Sequence, residues 1–408
     1  MQRLLLLLLL TAGLVAPAAA QPDELVVWHR YDLFDTDDPN AVNLAAFIDA
    51  YEAETGVTVR YEQVAWDQLP VKLAVAVMSG GEVPDITAMS SQHIPSLLDV
   101  DAAAPLDDLL ADAAWTEDLT EADTTACVID GVRVCVMVHV RGGITYYRTD
   151  AFPDGFPQAA DAWAAATPAD YEHLATMYLG RSYSAIETQW YPLILANGGQ
   201  VFDAEGRPAW ATPQTAEVVE FLRARLATDS IPAIAVSGDF SDAEAPWLNG
   251  EAAAFRGASW SPIFVPGLRD EVDSGAVQLT GGLDFGDGPR AFLLGDGWVV
   301  PQRANNPEAA AQWLDLFMTP DFLAQWSQSQ NGIPTLPAAA ADARFDTPFF
   351  TAVEGILSEQ GAYVPYSPFY VESLDALAAT LQMLLLEPET DALAALQDAQ
   401  DEILRRYW

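Results

Sequence analysis

Residues 79–91 read SGGEVPDITAMSS, a helix end, a break and a short apolar run in direct succession. Upstream of it, LPVKLAVAVM (residues 69–78) has the apolar spacing of an amphipathic helix. Gly80 and Gly81 end that helix, Pro84 prevents it from resuming, and residues 86–89 form the short apolar run expected of a strand buried on both faces. A helix broken so abruptly before an interior strand is one step of a β-α-β order. The flanking sequence repeats the step. ELVVWHRYD (residues 24–32) is an apolar run ending in a polar, aromatic tail; NLAAFIDAYEAETG then sets Leu44, Phe47, Ile48 and Tyr51 at helical spacing, with Gly56 where a C-terminal cap belongs. VTVRYEQV follows as a second strand, PDITAM as a third, and HIPSLLDV as the next helix. This order predicts a parallel sheet with helices on its faces. Ligands of such sheets bind outside the carboxyl ends of the strands, so the tails WHRYD, VAWD and MSSQH share one edge.

The first twenty residues stand apart from the fold. Arg3 precedes a leucine run and Ala18-Ala19-Ala20, the pattern of a charged n-region, an apolar h-region and a small-residue cleavage site. Residues 1–20 therefore read as a secretory signal peptide, with the mature chain beginning near Gln21 in a periplasm or outside the cell. A membrane anchor is the competing reading, but the run is short against the ~20 residues that cross a bilayer. No cysteine lies near the cleavage site to carry a lipid. The remaining length suits two lobes better than one core. The formal charge is −41 and Lys72 is the single lysine, so nucleic acid and anionic membrane surfaces are poor partners.

Cys127 and Cys135 bracket VIDGVRV. Asp130-Gly131 between β-rich runs is a hairpin signal, because both central positions of the favoured tight turn take positive φ. Such a turn brings the two cysteines together, and an exported chain meets an oxidising compartment, so a disulfide is expected. Neither a CxxC spacing nor a neighbouring His/Cys cluster suggests redox or metal chemistry for the pair.

Further landmarks stand in a fixed order over nearly the whole mature chain: LVVWH, FIDAYEAETGVTVRYE, MSGGEVPDITAM, ITYYRTDAF, ILANGGQVFDAEGRPAWATPQTAEVVEFL, LNGEAAAF, GDGWVVPQRANNPEAAAQWLDLFMTPDF and NGIPT. In that order they resemble the extracellular solute-binding proteins of ABC importers, of the sugar-binding type that includes maltose-binding protein. The resemblance implies an α/β, two-lobed periplasmic-binding-protein fold. Each lobe is a mainly parallel sheet flanked by helices, and crossing hinge strands join the two. It implies crossings near His139 to Gly143 and near Leu294 to Trp298, giving lobe one residues 21–138 and 295–332, and lobe two residues 139–294 and 333–408. The glycines at the crossings, Gly142-Gly143 and Gly295 with Gly297, would supply the backbone freedom of a hinge. Three departures are visible. Arg148 follows the tyrosine pair where lysine or asparagine is usual, DAAAPLDDLL lacks the glycine often found before its PLDDL segment, and no lipobox is present, which implies a protein free of a lipid anchor.

A sugar offers an apolar C–H face and a ring of hydroxyls, so its site combines flat aromatic rings with planar polar side chains. Twelve tryptophans exceed the needs of core packing, and Trp66, Trp190, Trp260 and Trp298 follow strands or lie in turn-rich stretches, whereas Trp313 and Trp326 have helical neighbours. With His29, Asp32, Asp67, Ser91, Gln92, Arg141, Tyr146 and Asp296 they make up the candidate ligand contacts; His93 and His139 lie at the same edge. The expected function is a receptor that captures a sugar, an oligosaccharide by preference, and delivers it to the permease subunits of an ABC importer. It would act as a monomer without a cofactor and leave its ligand chemically unchanged. Alternatives stay open at this stage. An exported glycoside hydrolase would use two carboxylates flanking a sugar, a polyamine receptor would use the negative charge, and a metal receptor would use Tyr146-Tyr147 or the histidines.

Overall fold

The computed structural model describes residues 24–408 apart from 169, 287, 364 and 366. The proposed signal peptide, residues 1–20, lies outside them. Three parallel strands build one end of the molecule: β1 (Glu24–His29) lies between β2 (Thr58–Gln63) and β3 (Ile86–Ser90), and helices Pro39–Thr55 and Leu69–Ser79 connect them. Gly80 closes the second helix with φ 72°, a left-handed conformation that other residues reach at a cost. Asp85, five residues on, then ties the sheet together. Its carboxylate accepts from the backbone N–H of Val26 at 2.8 Å and from those of Asn305 and Asn306 at 2.7 Å each, so one acid fixes β1, the start of β3 and the approach to helix Pro307–Phe317.

Alternation along β1 sends Leu25 and Val27 into one apolar cluster with Phe47, Trp313 and Phe317, and Val26 and Trp28 into another with Leu69, Leu73 and Met89. Both faces are covered, which is why the strand reads as a continuous apolar run rather than an alternating one. A third cluster, at the other end of the molecule, gathers Trp163, Trp190, Trp210, Leu222, Leu377 and Leu381.

The hairpin β4 (Val128–Ile129) and β5 (Val132–Arg133) turns at Asp130 and Gly131, with φ 52° and 81°. Cys127 and Cys135 flank it as a disulfide, their Cα atoms 4.9 Å apart.

Two long strands link the ends of the molecule. Along β6 (Val136–Arg148), residues 136–142 pair antiparallel with β9 (Ala291–Val299), and residues 143–148 leave for β7 (Ala254–Ala258) and β8 (Val277–Thr280). β9 is antiparallel to β3 through residues 296–299 and parallel to β11 (Gly361–Tyr363) through residues 291–293. The short β10 (Ile333–Pro334) closes the other side of β6. The sheet around β6 in the second lobe is thus antiparallel, whereas β2, β1 and β3 are parallel.

Glycine at the crossings serves close approach. A Cβ on Gly142 would lie 2.3 Å from the Phe292 carbonyl oxygen, and one on Gly297 would lie 2.1 Å from that of Val136. Neither glycine has a positive φ. Among the described residues no helix is long and apolar enough to cross a membrane.

Candidate functional site

Where β6 and β9 pass between the lobes, their side chains form the floor of a cleft. Arg141 on β6 and Asp296 on β9 make a buried ion pair there, the arginine 5% and the aspartate 8% exposed. Burial alone would raise the Asp296 carboxyl, but the charge of Arg141, His139 beside it and Arg30 hold it well below the usual carboxylate range. Burial pulls Arg141 down from its ordinary value. His139 Nε2 stands 3.5 Å from Asp296 Oδ2, too far for a full hydrogen bond, and its burial lowers it to about 4, so it is neutral at physiological pH.

Above this pair, Trp260 projects from the turn after β7. The Arg141 guanidinium carbon lies 5.0 Å from the centroid of its ring, within cation–π range. Trp66 faces the cleft from lobe one with Arg30 4.9 Å over its ring. Arg30, Trp66, Arg141, Trp260, Phe264 and Asp296 belong to the lining of one compartment, of about 180 Å³. A second compartment, of about 370 Å³, lies beside it and is walled by Pro95, Leu98, Ile129, Phe292, Tyr363 and Tyr370 among others. Gln92, Glu187 and Leu294 line both and form the partition.

The partition spans the lobes. Gln92 follows β3, and its Oε1 accepts from the Ser90 hydroxyl at 2.6 Å, which leaves its amide N–H groups to donate to Glu187. Glu187 sits in a π-helical turn, Ile186–Trp190, and also accepts from the Tyr370 hydroxyl at 2.6 Å. Burial lifts its carboxyl to about 7 against the lowering effect of Tyr370 and Gln92. The two serines that close SGGEVPDITAMSS hold this corner in place. Ser91 Oγ accepts from the Gly295 N–H at 3.1 Å, which fastens the end of β3 to the crossing strand.

Of the residues singled out in the sequence, the structure brings Trp66, Ser91, Gln92, Arg141, Trp260 and Asp296 together at the cleft. It buries His29 and Trp298 behind the smaller compartment, around a cavity of about 20 Å³ that Arg30, Trp66 and Asp296 also line, and it places Asp32, Asp67, Tyr146 and Trp190 away from the cleft. His29 is 4% exposed, stacks on Tyr31 at 5.0 Å, and is lowered to about 3 by burial. Asp32 is exposed and accepts from Phe34 N in a local turn, and Asp67 is exposed beside Gln68. Tyr146 is fully buried and donates to the Ala258 carbonyl at 2.8 Å, because its position on β6 faces the interior between β7 and β8. Trp190 is fully buried in the second-lobe core. Trp298 is 2% exposed and packs edge-on against Trp313 and Phe317, at 5.4 and 5.2 Å.

Sequence reasoning passed over Arg30, Glu187, Phe264, Tyr363 and Tyr370. Arg30 could have been found, since it adjoins His29 in a strand tail already assigned to the cleft edge. Glu187 gives no such signal, because its exposure to the cleft depends on one π-helical turn in a helix-rich stretch. Tyr147 donates to Gln278 at 2.6 Å, so the adjacent tyrosines engage separate partners. Among the described residues no group of three or more His, Cys, Asp or Glu side chains is arranged to hold a metal ion.

Comparison with known proteins agrees with this architecture. The family model described as bacterial extracellular solute-binding protein matches residues 46–351. A Brucella abortus (strain 2308) protein that carries a provisional binding-protein name is 22% identical over 378 residues, 88% of each chain. The cyclic alpha-maltosyl-1,6-maltose binding protein of Arthrobacter globiformis superposes with a TM-score of 0.74 at 22% identity, covering 94% of this chain and 99% of that one. The GacH receptor of Streptomyces glaucescens, described unliganded and with acarbose, superposes with a TM-score of 0.79 at 13% identity, covering 94% and 97%.

Proposed function

Because the chain belongs to the bacterial extracellular solute-binding proteins, we propose that it captures a saccharide in the cleft between its lobes and passes it to an ABC importer. The observation that carries this reading is the cleft itself: two tryptophan rings, Trp66 and Trp260, face a buried Arg141–Asp296 pair in one compartment. Flat rings cover the C–H face of a sugar, and a fixed ion pair with spare lone pairs and N–H groups receives its hydroxyls. Asp296 Oδ1 and Arg141 Nε are buried without a hydrogen-bond partner among the described residues, so the protein alone does not saturate this pair. The second compartment supplies room for a further unit, which supports an oligosaccharide. The solved structures of similar fold include sugar-binding proteins, and that likeness supports the same class here.

In this reading residues 21–138 and 295–332 form lobe one and the rest lobe two, with β6 and β9 as the hinge. The chain is exported through the N-terminal signal, remains free of a lipid anchor, and acts as a monomer that meets permease subunits after closing. The chemistry ends at binding. The other carboxyl lining the compartment is Glu187, whose hydrogen bonds from Gln92 and Tyr370 join the lobes, which supports a structural role for it in this reading. Isothermal titration against a panel of saccharides, followed by chromatography of the released ligand, tests the proposal. One intact saccharide per chain is the expected result; cleaved product would establish the hydrolase instead.

A further inference from the structure

The chain carries 18 basic residues against 59 acidic ones, yet two of its arginines line the smaller compartment. Arg141 is paired with Asp296. Arg30 has no carboxylate partner among the described residues; its Nη2 donates to the Tyr31 hydroxyl at 2.6 Å and to Gln330 Oε1 at 3.2 Å, both neutral acceptors. The two guanidinium groups lie close enough to repel, and Arg30 is one of the charges that depress Arg141. The second carboxyl in the compartment, Glu187, is lifted by burial to about 7 and is engaged by hydrogen bonds from Tyr370 and Gln92 rather than by either arginine. The compartment therefore sets two guanidinium groups beside one carboxylate, Asp296, that is ion-paired to Arg141, inside a molecule whose net charge is −41. Such a placement opposes the composition of the whole chain. Burial works against the charge of Arg30, but Tyr31, Asp296 and Asp38 raise it, so Arg30 stays charged, yet no carboxylate among the described residues makes an ion-pair contact with it. The larger compartment differs: its rim carries Asp99 and Asp130.

We propose that the ligand is an acidic saccharide, a sugar bearing one carboxylate or phosphate, whose anionic group sits against Arg30, beside the Arg141–Asp296 pair, while neutral sugar extends into the larger compartment. The proposal rests on the saccharide-receptor reading and narrows its ligand class. A guanidinium fork matches the planar pair of oxygens of a carboxylate and the oxygens of a phosphate equally well. A neutral sugar would leave Arg30 unpaired in a partly desolvated site, whereas an anion satisfies it, and hydrogen bonds between charged groups are about twice as strong as neutral ones. Trp66, held under Arg30, would then cover the ring that carries the charge.

Titration of the wild-type protein with matched pairs tests this: cellobiouronate with cellobiose, galacturonate disaccharide with galactobiose, and trehalose 6-phosphate with trehalose. The acidic member of at least one pair should bind tenfold or more tighter than its neutral twin. The carboxylate and phosphate arms show which anion the site takes. Arg30→Gln, checked for native circular dichroism, should reduce that ratio about tenfold. Neutral twins that bind as tightly as or more tightly than the acidic members overturn the proposal and leave the saccharide receptor standing. Failure of every saccharide, neutral or acidic, to bind at millimolar concentration overturns both.

Discussion

Glutamine in place of Glu187 isolates a single titration in the partition of the cleft. The carboxyl is 4% exposed, and burial moves it from 4.5 to about 7. In the unfolded chain it titrates near 4.5. Below that pH both states hold the proton, and the group adds no pH dependence. As pH rises from 4.5 to about 7 the unfolded chain releases its proton first, so the native state loses stability relative to it; above 7 the full cost persists. At 1.36 kcal/mol per pH unit the interval is worth on the order of 3 kcal/mol, most of which falls between pH 5 and pH 8. His29, His93 and His139 act in the opposite direction. Burial lowers them to about 3, 4 and 4, so the unfolded state takes up their protons first as pH falls below 6.5. They are common to both proteins and cancel in the comparison. Urea unfolding of wild type and Glu187→Gln at pH 5 and pH 8 measures the remainder. The variant should gain about 2–3 kcal/mol on wild type between the two conditions. A relative gain below about 1 kcal/mol would refute the reasoning, because the carboxyl would then ionise in the folded protein without the predicted cost.

Trp260→Ala should weaken saccharide binding by about 1.5–2 kcal/mol, the worth of one stacked ring, with little loss of stability; calorimetry on the folded variant reads it. Trp298→Ala should instead cost the fold about 3–5 kcal/mol, since its ring packs on Trp313 and Phe317, and thermal unfolding distinguishes the two. Mass spectrometry of the exported protein without reductant should find no alkylatable thiol. Replacing both Cys127 and Cys135 with alanine should lower stability by about 2–3 kcal/mol, as a loop of this length implies.

Much of the fold was legible because local signals and burial agree. Gly56 and Gly80 stop helices at left-handed turns, Asp130-Gly131 makes the hairpin with both φ values positive, and the apolar runs of β1 and β3 reflect sheets covered on both faces. The site was less legible, for a reason visible on β9. Leu294, Asp296 and Trp298 share one face of the strand, yet Leu294 and Asp296 open into the cleft while Trp298 lies under the helix that carries Trp313. Two residues along a strand is about 6–7 Å, enough to pass from cleft wall to core, and periodicity does not register that distance. Tyr146 failed to reach the cleft for a related reason. The sequence shows a strand there, but burial on that face follows from β7 and β8, which pair with β6 from more than a hundred residues away. The crossing glycines show a third limit: composition suggests freedom of rotation, but it does not display the second requirement for glycine at Gly142 and Gly297, where a Cβ would meet the backbone of Phe292 and Val136.

In the proposed function a saccharide bridges two lobes and draws them together. Gln92 of lobe one and Glu187 and Trp260 of lobe two can contact one ligand only across the cleft, and a ligand shifts such an equilibrium by its differential affinity for the closed arrangement. Small-angle scattering of the purified mature protein, alone and saturated with the tightest-binding saccharide of the panel, measures this directly. The radius of gyration should fall on binding, and Ser91→Trp, which places a large ring at the end of β3, should prevent the contraction. Tight binding with an unchanged radius of gyration would contradict the account and place the ligand in a preformed pocket of one lobe.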